Sequence, residues 1–586
     1  MIKKFHLLFV ILSSILFCKS PAMNNACDFN AEAYQELSVF RTLFGLTAGP
    51  CFSVFFSQGS AVPPNITGFG TSTAQLRLIP LATVRLLPVY TGEVSSWTLS
   101  ASLPTGLTFN QITGDISGTV PSISGGMPSV NYTITASNSY GSSSYIFPLQ
   151  ILASGDIVWT KLIGVSGSNT SSTNNGIAYD SATKSVYLSG MSTGGGNLDG
   201  EVNSALSGWS SAFVSRYSAD GVRAWTRLTG FGTATINIFA GQITVDNSGN
   251  VLWATFANTQ SSGLSITVDG NLVNAASRIP LVTKYDKDGN RIWTRSRSSS
   301  VNGVLVGIGT DGSGNVFAAG GLYAPAMDGQ TNTGWTDSGL VLMKHDSSGN
   351  WTSGNTAVIA SSVSSSSQHV EAMAVGMDSL GNAYLVGYSR AASLCAAVSA
   401  QTSILLFKYI NNMAYAGCQG SGVSGSDSNG YGIAIDSSDN IYLSGDTLGN
   451  LDAIAKTGTQ DAVLIKYNSS MVKQFTRLYG VAAGTTISYS VAVDSSGNIY
   501  MTGSTTGNLN GQTKSGIQDA FVMKLDSLGN VLWTKLLGVG TKTSFGSGVV
   551  LDSDGAIYIA GYTDGNLNGE TNVGTNQSLF LVKIVK

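Results

Sequence analysis

The sequence predicts an all-β protein, in which a seven-bladed β-propeller follows a small Ig-like β-sandwich. The main observation is a unit with four strand patterns, in which an aspartate closes the first strand and recurs every 58 to 67 residues. The composition agrees: charged residues make up only 11% of the 586 residues and glycine reaches 71. Few charges and many small turn residues are typical of a β protein with an uncharged polar surface.

The clearest copy of the unit spans residues 488–538. Its runs SVAVD, NIYMTGS, DAFVMKLD and VLWTKLLG alternate apolar and polar residues, and DSSGN and DSLGN supply turns. Four short antiparallel strands at a fixed repeat form one propeller blade. The closing aspartates are Asp180, Asp246, Asp311, Asp378, Asp436, Asp494 and Asp552. A basic residue marks each third strand, at Arg216, Lys284, Lys344, Lys408, Lys466, Lys524 and Lys583. An aromatic residue marks each fourth strand, at Trp159, Trp225, Trp293, Trp351, Tyr415, Phe475 and Trp533.

The phase of the array predicts how the ring closes. Residues 157–163 form a fourth-strand pattern with no blade before it, and residues 579–585 form a third-strand pattern with no fourth strand after it. Pairing these two segments removes an open sheet edge. We therefore expect the N-terminal strand of the array to complete the last blade.

Three sequence segments in the repeats resemble a known family. The segments GIAIDSSDNIYLSGDT, SVAVDSSGNIYMTGST and DAFVMKLDSLGNVLWTKLLG resemble the bacterial SBBP family of beta-propeller repeats, over roughly residues 156–586. That family is defined by its fold, so the resemblance implies no catalytic residue. The segment GNVLWTKLLG is also similar to the turn and strand of quinoprotein-type repeats, which occur in an outer-membrane assembly lipoprotein.

Residues 65–152 have a different character. The segments SLPTGLTFNQITGDISGTVP and VNYTITASNSYGSSSYIFPLQI resemble the Ig-type domain of bacterial surface proteins that is called the "putative Ig domain". The resemblance implies a small β-sandwich. Such domains act as spacers more often than as binding modules, and both roles stay open.

The first 64 residues predict export. Residues 1–17 place Lys3 and Lys4 before an apolar run that is too short to span a bilayer, as in a signal peptide. The run ends at Cys18 in a lipobox-like ILFC, although Phe17 stands where a small residue is usual. One hypothesis is that Cys18 is lipidated, and the alternative is ordinary signal-peptide cleavage after Ala22. Residues 18–64 then form a tether with a short helix.

The other four cysteines fall into two local pairs. Cys27 and Cys51 lie in the tether, and Cys395 and Cys418 lie in the fourth repeat. Export would allow both pairs to oxidise to disulfides. Four unpaired buried thiols are the alternative.

The sequence gives no support for catalysis, a bound metal or a cofactor. Of the three histidines, His6 lies in the export signal, His345 ends a third strand and His369 lies in a serine-rich loop. No nucleophile has a base placed near it, and no zinc ligand set is present. The turns at 286–290 and 552–556 lack the closing acid of a calcium loop. We expect no nucleic-acid partner either, because 30 basic residues face 33 acidic ones without a basic, aromatic stretch.

The residues that recur in every copy have structural interpretations. An aspartate that accepts hydrogen bonds from turn amides explains the seven aspartates. The basic residues are expected in blade packing or carboxylate pairs, and the aromatic residues between neighbouring blades. The GNLNG-like segments are expected to be loop structure rather than ligand sites, at Asn197, Asn450, Asn508 and Asn566.

Function is expected on the face with the long loops, because variable loops on a rigid scaffold often bind ligands. The loops expected to form this face are residues 191–211, 257–279, 321–338 and 389–402. The leading hypothesis is a monomeric, lipid-anchored protein of the outer membrane or cell surface that binds an unknown protein or glycan and touches the membrane only through its lipid. Alternatives are a periplasmic scaffold in outer-membrane protein assembly and, more remotely, a quinone-dependent dehydrogenase.

Overall fold

The structure is a computed structural model. It describes residues 62–70, 75–123, 125–194, 197–201, 210–229, 236–259, 265–268, 271–274, 278–296, 302–324, 326–328, 330–332, 339–351, 353–359, 370–390, 395, 401–553, 555–574 and 576–586. The export signal, almost all of the tether, Cys18, Cys27, Cys51, His6 and His369 lie outside the described residues. No helix in the described ranges is long and apolar enough to cross a membrane.

The first nine strands fold into small sheets around a shared core. One sheet has the order β2-β9-β8-β5, another has β3-β7-β6, and β1 pairs with β4. Alternate residues of β8, such as Tyr132 and Ile134, are buried against Trp97 and Phe147, because successive side chains of a strand point to opposite faces. The strands are β1 (Asn65–Phe69), β2 (Leu76–Leu78), β3 (Thr83–Leu86), β4 (Pro88–Thr91), β5 (Ser96–Leu99), β6 (Leu107–Phe109), β7 (Ile116–Thr119), β8 (Met127–Asn138) and β9 (Gly141–Ile151).

Strand β10 (Ile157–Ile163) then begins an array of seven four-stranded sheets within the described residues. Sheet 1 contains β11 (Asn169–Asp180), β12 (Ser185–Thr193), β13 (Ser210–Ser218) and β14 (Arg223–Thr229). Sheet 2 contains β15 (Ile236–Val245), β16 (Val251–Thr259), β19 (Arg278–Tyr285) and β20 (Arg291–Ser296), with the hairpin β17 (Ser265–Val268) and β18 (Asn271–Asn274) inserted after β16. Sheet 3 contains β21 (Gly303–Thr310), β22 (Val316–Leu322), β25 (Gly339–His345) and β26 (Thr356–Ile359), with short strands β23 (Ala326–Met327) and β24 (Gln330–Thr331) after β22.

The remaining sheets follow the same order. Two 3-10 helices lie at Ser353–Asn355, before β26, and at Leu451–Ala453, in sheet 5. Sheet 4 contains β27 (Val370–Met377), β28 (Ala383–Ser389), β29 (Ser403–Tyr409) and β30 (Tyr415–Ser421). Sheet 5 contains β31 (Ser428–Ile435), β32 (Ile441–Thr447), β33 (Asp461–Tyr467) and β34 (Lys473–Tyr479). Sheet 6 contains β35 (Thr486–Val493), β36 (Ile499–Thr505), β37 (Asp519–Leu525) and β38 (Val531–Leu537). Sheet 7 contains β39 (Ser544–Leu551), β40 (Ala556–Thr563), β41 (Ser578–Val585) and β10.

The predicted pairing of residues 157–163 with residues 579–585 is present in sheet 7. Strand β10 pairs antiparallel with β41, with Thr160 opposite Val582. Backbone hydrogen bonds also join the residues before β10 to the end of β41. Gly155 donates its backbone N–H to the Val585 carbonyl oxygen at 2.9 Å. In the other direction, Val585 donates to the Asp156 carbonyl oxygen, also at 2.9 Å. The chain segment after the Ig-like region therefore takes the place of a hairpin turn.

The first strands of neighbouring sheets lie side by side. Each of β11, β15, β21, β27, β31 and β35 contacts the first strand of the following sheet, and β39 contacts β11. Apolar clusters fill the space between neighbouring sheets, such as Tyr500, Val522 and Ile559 between sheets 6 and 7. The core is therefore divided among the junctions between sheets.

Candidate ligand-binding face

The closing aspartates cap turns. Asp494 is typical: its Oδ1 accepts the backbone N–H groups of Ser496 and Asn498, each at 2.9 Å. Its Oδ2 accepts the Asn498 amide at 3.0 Å and the Tyr500 hydroxyl at 3.1 Å. An aspartate with all these partners fixes the turn and the next strand together. The same Oδ1 contacts to the turn occur at Asp246, Asp311, Asp378 and Asp436.

The two turns considered for calcium use their aspartates in the same way. Asp286 accepts the backbone N–H groups of Asp288 at 2.9 Å and Asn290 at 2.8 Å. Asp552 accepts the backbone N–H of Ala556 at 2.7 Å and the Tyr558 hydroxyl at 3.1 Å. In the described part of the chain, no group of three or more acidic, histidine or cysteine side chains is placed to hold a metal ion.

The basic residues of the third strands join neighbouring sheets. Lys583 of sheet 7 donates to the Ala219 carbonyl oxygen of sheet 1 at 3.0 Å, and its ammonium lies 5.3 Å from the Tyr558 ring centre. Lys284 pairs with the Asp246 carboxylate of its own sheet at 2.9 Å, with both side chains buried, and donates to the Ser347 carbonyl oxygen of sheet 3 at 3.1 Å. These contacts are of the two kinds expected from the sequence, blade packing and carboxylate pairing.

A fourth-strand aromatic residue packs on the next sheet when its cross-strand partner is the basic residue of the third strand. Trp225 lies opposite Arg216, donates its indole N–H to the Lys287 carbonyl oxygen at 2.9 Å, and lies over Gly289. Two positions depart from this arrangement. Tyr415 lies in the fourth strand β30, as predicted, but it is opposite Tyr409 and is 54% exposed. The fourth-strand position predicted for Trp351 is wrong. Trp351 precedes β26 altogether, because a 3-10 helix intervenes before the strand begins at Thr356.

The GNLNG-like segments are loop anchors. Asn510 adopts a left-handed conformation (φ 49°) and donates its side-chain amide to the Thr534 hydroxyl at 2.9 Å, while the adjacent Leu509 is fully buried. Asn568 (φ 51°) makes the same bond to Thr160 of β10, also at 2.9 Å. A polar residue that tolerates positive φ and reaches a strand explains the segment without a ligand.

Two variable positions break the symmetry of the array. One is the residue after the central glycine of the second strand, and the other is the bulged residue of the first strand, such as Tyr431 between Gly430 and Gly432. Both lie in the half of the sheet that leads into the long loops, since the aspartate turns lie at the opposite end. Half-buried aromatic side chains occupy these positions, or lie beside them, in sheets 2 to 7, and sheet 2 contributes the stacked pair Phe239 and Phe256. We call the members in sheets 3 to 7 the aromatic band: Tyr323, Tyr388, Tyr431, Tyr489, Phe545 and Tyr562.

The centre of the aromatic band is a pair of tyrosines beside a buried acid. The rings of Tyr431 and Tyr489 lie 5.3 Å apart at 45°. Asp446 is fully buried, accepts the Gln460 amide at 2.6 Å and interacts with the Tyr431 hydroxyl. Burial, with a contribution from the nearby Asp446 charge, raises the pKa of Tyr431 well above its usual range. Burial raises the pKa of Tyr489 to about 12, so both phenols are neutral hydrogen-bonding groups near pH 7.

Each end of the aromatic band has its own arrangement. At one end Tyr323 donates its hydroxyl to Glu371 Oε1 at 3.2 Å, and Tyr388 hydrogen-bonds to the same carboxylate. The Arg278 guanidinium lies 4.2 Å from the centre of the Tyr323 ring. At the other end, the rings of Phe545 and Tyr562 stack at 4.7 Å. The carboxylate and the guanidinium thus lie among neutral rings.

Two amide side chains cross the centre of the array beneath the aromatic band. Asn175 of sheet 1 donates from Nδ2 to the Tyr431 carbonyl oxygen at 2.8 Å. Gln242 Oε1 accepts the backbone N–H groups of Ile308 and Val375, each at 3.0 Å. Both amides line a cavity of about 370 Å³ whose other walls are first-strand residues nearer the aspartate turns, including Val491. The two side chains therefore lie at the inner end of that cavity.

About half of the residues in the loops expected to form the binding face lie outside the described residues. The described parts include the β17–β18 hairpin and Cys395, which forms a disulfide with Cys418 (Cα–Cα 5.3 Å). His345 is buried in β25. Sequence reasoning missed the aromatic band and Asp446. Their signal was a departure from the repeat, visible only when the copies are compared position by position.

The resemblance to known families has two parts. The family described as "Beta-propeller repeat" (SBBP) matches residues 413–452, 474–510 and 532–568. The chain contains SBBP beta-propeller repeats. The family described as "Putative Ig domain" matches residues 61–152. SBBP repeats do not themselves indicate catalysis, and no curated protein matches the chain significantly.

Solved structures similar to this SBBP-repeat chain are distant. A Bacteroides caccae protein of unknown function is 10% identical, with 55% of this chain and 89% of that chain covered and a TM-score of 0.30. A Xanthomonas campestris gluconolactonase is 10% identical, with coverages of 61% and 88% and a TM-score of 0.29. A quinonprotein alcohol dehydrogenase-like protein from Bacteroides thetaiotaomicron is 13% identical, with coverages of 81% and 96% and a TM-score of 0.27. None of these similarities implies a shared activity.

Proposed function

We propose that the protein is an exported, non-catalytic binding protein of the cell envelope, whose sheets form a closed seven-bladed propeller that presents the aromatic band to a partner. In this proposal lipid on Cys18 anchors the chain to the outer membrane or cell surface. The Ig-like domain serves as the spacer. The observation that carries the proposal is the asymmetric aromatic band on an otherwise repetitive scaffold.

Closure of the ring is supported by contacts between its two ends. Strand β10 pairs with β41. The Thr160 hydroxyl takes the place that Thr534 has in sheet 6, because each binds a left-handed asparagine at 2.9 Å. Lys583 of the last sheet also reaches a carbonyl oxygen of the first. A ring without open edges gives the binding face a rigid support.

A binding role is supported by the chemistry of the aromatic band. Partly exposed aromatic surface with a few fixed polar groups is typical of recognition sites, because rings contribute large contact area while losing little conformational entropy. Residues that only stabilise the propeller recur in every sheet, as Asp494 and its equivalents do. The residues of this region differ in identity and place from sheet to sheet, and sheet 1 has Met191 after its central glycine, so blade packing alone does not require the aromatic band.

Photo-crosslinking in living cells tests the binding face. A photoreactive amino acid is placed at Tyr562 in the aromatic band or at Leu528, which is 61% exposed in an aspartate turn. We expect a crosslinked product from Tyr562 and none from Leu528. Products from Leu528 alone, or from neither position, would contradict the proposed face.

Metabolic labelling with a radioactive fatty acid tests the anchor separately. We expect label on the native chain and none on a Cys18→Ser variant. Mass spectrometry of the mature N-terminus gives the second readout, and a chain that begins at Met23 would show cleavage after Ala22 instead. Protease treatment of intact cells then reports whether the propeller faces outward.

A further inference from the structure

We infer that Lys344 and Asn411 react to form an intramolecular isopeptide bond, which links sheet 3 covalently to sheet 4. The juxtaposition that supports it is a lysine amine, an asparagine carboxamide and the Asp311 carboxylate in one chain of hydrogen bonds. All three residues lie at the end of the sheets that carries the aspartate turns. The modification is therefore separate from the proposed binding face.

The lysine amine lies beside the carbon that it would attack. Lys344 Nζ donates to Asn411 Oδ1 at 2.5 Å and to the Asn411 backbone carbonyl oxygen at 2.6 Å. A carbonyl bond is about 1.23 Å long, so Nζ lies at most about 3.7 Å from the side-chain carbon Cγ. Reacting atoms about 3 to 3.5 Å apart are in position to react. The amine and the amide therefore need little movement.

The Asp311 carboxylate contacts the other end of the same amide. Asn411 donates from Nδ2 to Asp311 Oδ2 at 3.3 Å. A Cβ added at Gly381 would lie 2.5 Å from Asn411 Nδ2, and the Asn411 backbone N–H donates to Asn382 Oδ1 at 3.2 Å. The amide is therefore held in a fixed place between the amine, the carboxylate and a turn of sheet 4.

The surroundings of Lys344 favour the neutral amine that the reaction requires. Burial lowers the pKa of Lys344, although the Asp311 charge opposes the shift. Its amino nitrogen lies 5.0 Å from the centre of the buried Phe317 ring. A lysine whose pKa is lowered by desolvation is a better nucleophile near neutral pH. The equivalent Lys284 of sheet 2 instead pairs with the Asp246 carboxylate at 2.9 Å, which favours the ammonium.

A carboxamide at this turn position is peculiar to sheet 4. The second residues of the equivalent turns between third and fourth strands are Ala219, Lys287, Ser347, Ser469 and Ser527. Lys583 and Lys284 donate to the backbone carbonyl oxygens of the first and third of these residues. The usual contact of the basic residue is therefore a hydrogen bond to the main chain. Sheet 4 adds a side-chain amide with which the amine can react.

The reaction needs no oxidant, cofactor or second protein. The neutral Nζ of Lys344 attacks Cγ of Asn411, and the new Nζ–Cγ bond replaces the Cγ–Nδ2 bond. Nζ loses one proton and Nδ2 gains one, and Asp311 Oδ2 is the group placed to deliver it. The leaving group is ammonia, and no atom changes its oxidation state. Each chain reacts once, so the step is a self-modification and not the turnover of a substrate.

Mass spectrometry of the purified full chain, reduced and digested with trypsin, tests the inference. We expect one product in which the peptides that contain Lys344 and Asn411 are joined, with a mass lower than that of the two peptides by one ammonia. The equivalent pair Lys284 and Ser347 is the internal control and should give separate peptides. Lys344→Arg keeps the positive charge, and Asn411→Ser introduces the residue of other turns. Neither variant should give the joined product.

Asp311→Asn tests the carboxylate, because the amide can still accept hydrogen bonds in the turn. We expect this variant to join the peptides about a hundredfold more slowly, and unfolding midpoints show whether each variant is folded. Separate Lys344 and Asn411 peptides from the native chain would overturn the inference, as would hydrolysis of Asn411 to aspartate without a joined product. Joining at the native rate in Asp311→Asn would overturn the role of the carboxylate. The digest does not depend on partner binding, so this inference and the proposed function can fail separately.

Discussion

Asn175 donates from its side-chain Nδ2 to the carbonyl oxygen of Tyr431 at 2.8 Å, although 256 residues separate them in the chain. The bond crosses from sheet 1 to sheet 5 and holds the bulge that carries Tyr431. Asn175 itself has a left-handed backbone (φ 55°) and is buried. Asn175 therefore has two roles: it tolerates a left-handed backbone conformation, and its side chain hydrogen-bonds to the backbone of Tyr431 in the aromatic band.

Substitutions at Asn175 should separate these two roles. Asn175→Gly loses the hydrogen bond but keeps the backbone relaxed, so we expect a loss of about 1 kcal/mol in the free energy of unfolding. Asn175→Ala adds the penalty for a left-handed alanine, for a total loss of about 2 kcal/mol. Urea denaturation of the folded chain measures both. Equal losses for the two variants would show that the backbone position is not strained.

Asp446 should give a pH-dependent difference in stability. Burial and the nearby Asp427 raise the pKa of this carboxyl, while Gln460, Tyr431 and Asn429 oppose the shift. The folded state therefore binds the proton more tightly than the unfolded state, and ionisation lowers stability as pH rises from about 4 through the folded pKa. The amide of Asp446→Asn does not ionise. The melting temperature of the variant minus that of the native chain should rise across this window and then level off.

The outcome that would contradict this prediction is a difference that stays constant between pH 4 and pH 8. Asp494 provides the control of opposite sign. Burial opposes its ionisation, but the Asn498 amide and the Lys586 ammonium hold its pKa below the usual range. Asp494 therefore contributes stability above the unfolded pKa that is lost as pH falls. The melting temperature of Asp494→Asn minus that of the native chain should become less negative on acidification.

The junction between sheets can be tested at a turn glycine. Gly289 has a φ of +80°, and a Cβ added there would lie 2.8 Å from the Trp225 ring. Gly569 has a φ of +88° with no atom within 4 Å of such a Cβ. Gly569→Ala should lose about 1 kcal/mol through backbone strain alone. Gly289→Ala should lose about 3 kcal/mol, because the indole must also move. Equal losses in thermal unfolding would contradict tight packing of Trp225 on this turn.

The repeated part of the fold could be predicted because its chemistry is the same in each copy. Asp494 accepts hydrogen bonds from the backbone N–H groups two and four residues after it. This requirement produces a fixed spacing of turn residues that can be recognised in the sequence. The pairing register of the fourth strand could not be predicted from the sequence in every copy. Tyr415 and Trp351 are aromatic and lie close to the expected place, but only the strand pairing shows that neither faces the basic residue.

The aromatic band could not be predicted, because it occupies positions at which the copies differ. The residue after the central glycine of the second strand, or its equivalent, is Met191, Phe256, Gly321, Tyr388, Asp446, Ser504 or Tyr562. A pattern derived from what the copies share removes this variation. The bulge that turns Tyr431 towards Asp446 is also a property of strand pairing. Neither feature has a local sequence signature.

The seam between β10 and β41 gives the last prediction. Thr160 and Thr534 are both buried, and each binds the amide of an asparagine at 2.9 Å. Replacing the threonine by valine removes the hydroxyl and its hydrogen bond, which should lower the free energy of unfolding by about 1 kcal/mol.

If β10 is bound as firmly as a continuous fourth strand, Thr160→Val and Thr534→Val should lower the free energy of unfolding equally. A strand that detaches before the rest unfolds would make Thr160→Val almost neutral in global unfolding, while hydrogen exchange of β41 amides would accelerate in that variant alone. Equal losses without accelerated exchange would therefore support a closed ring, and a neutral Thr160→Val would contradict it.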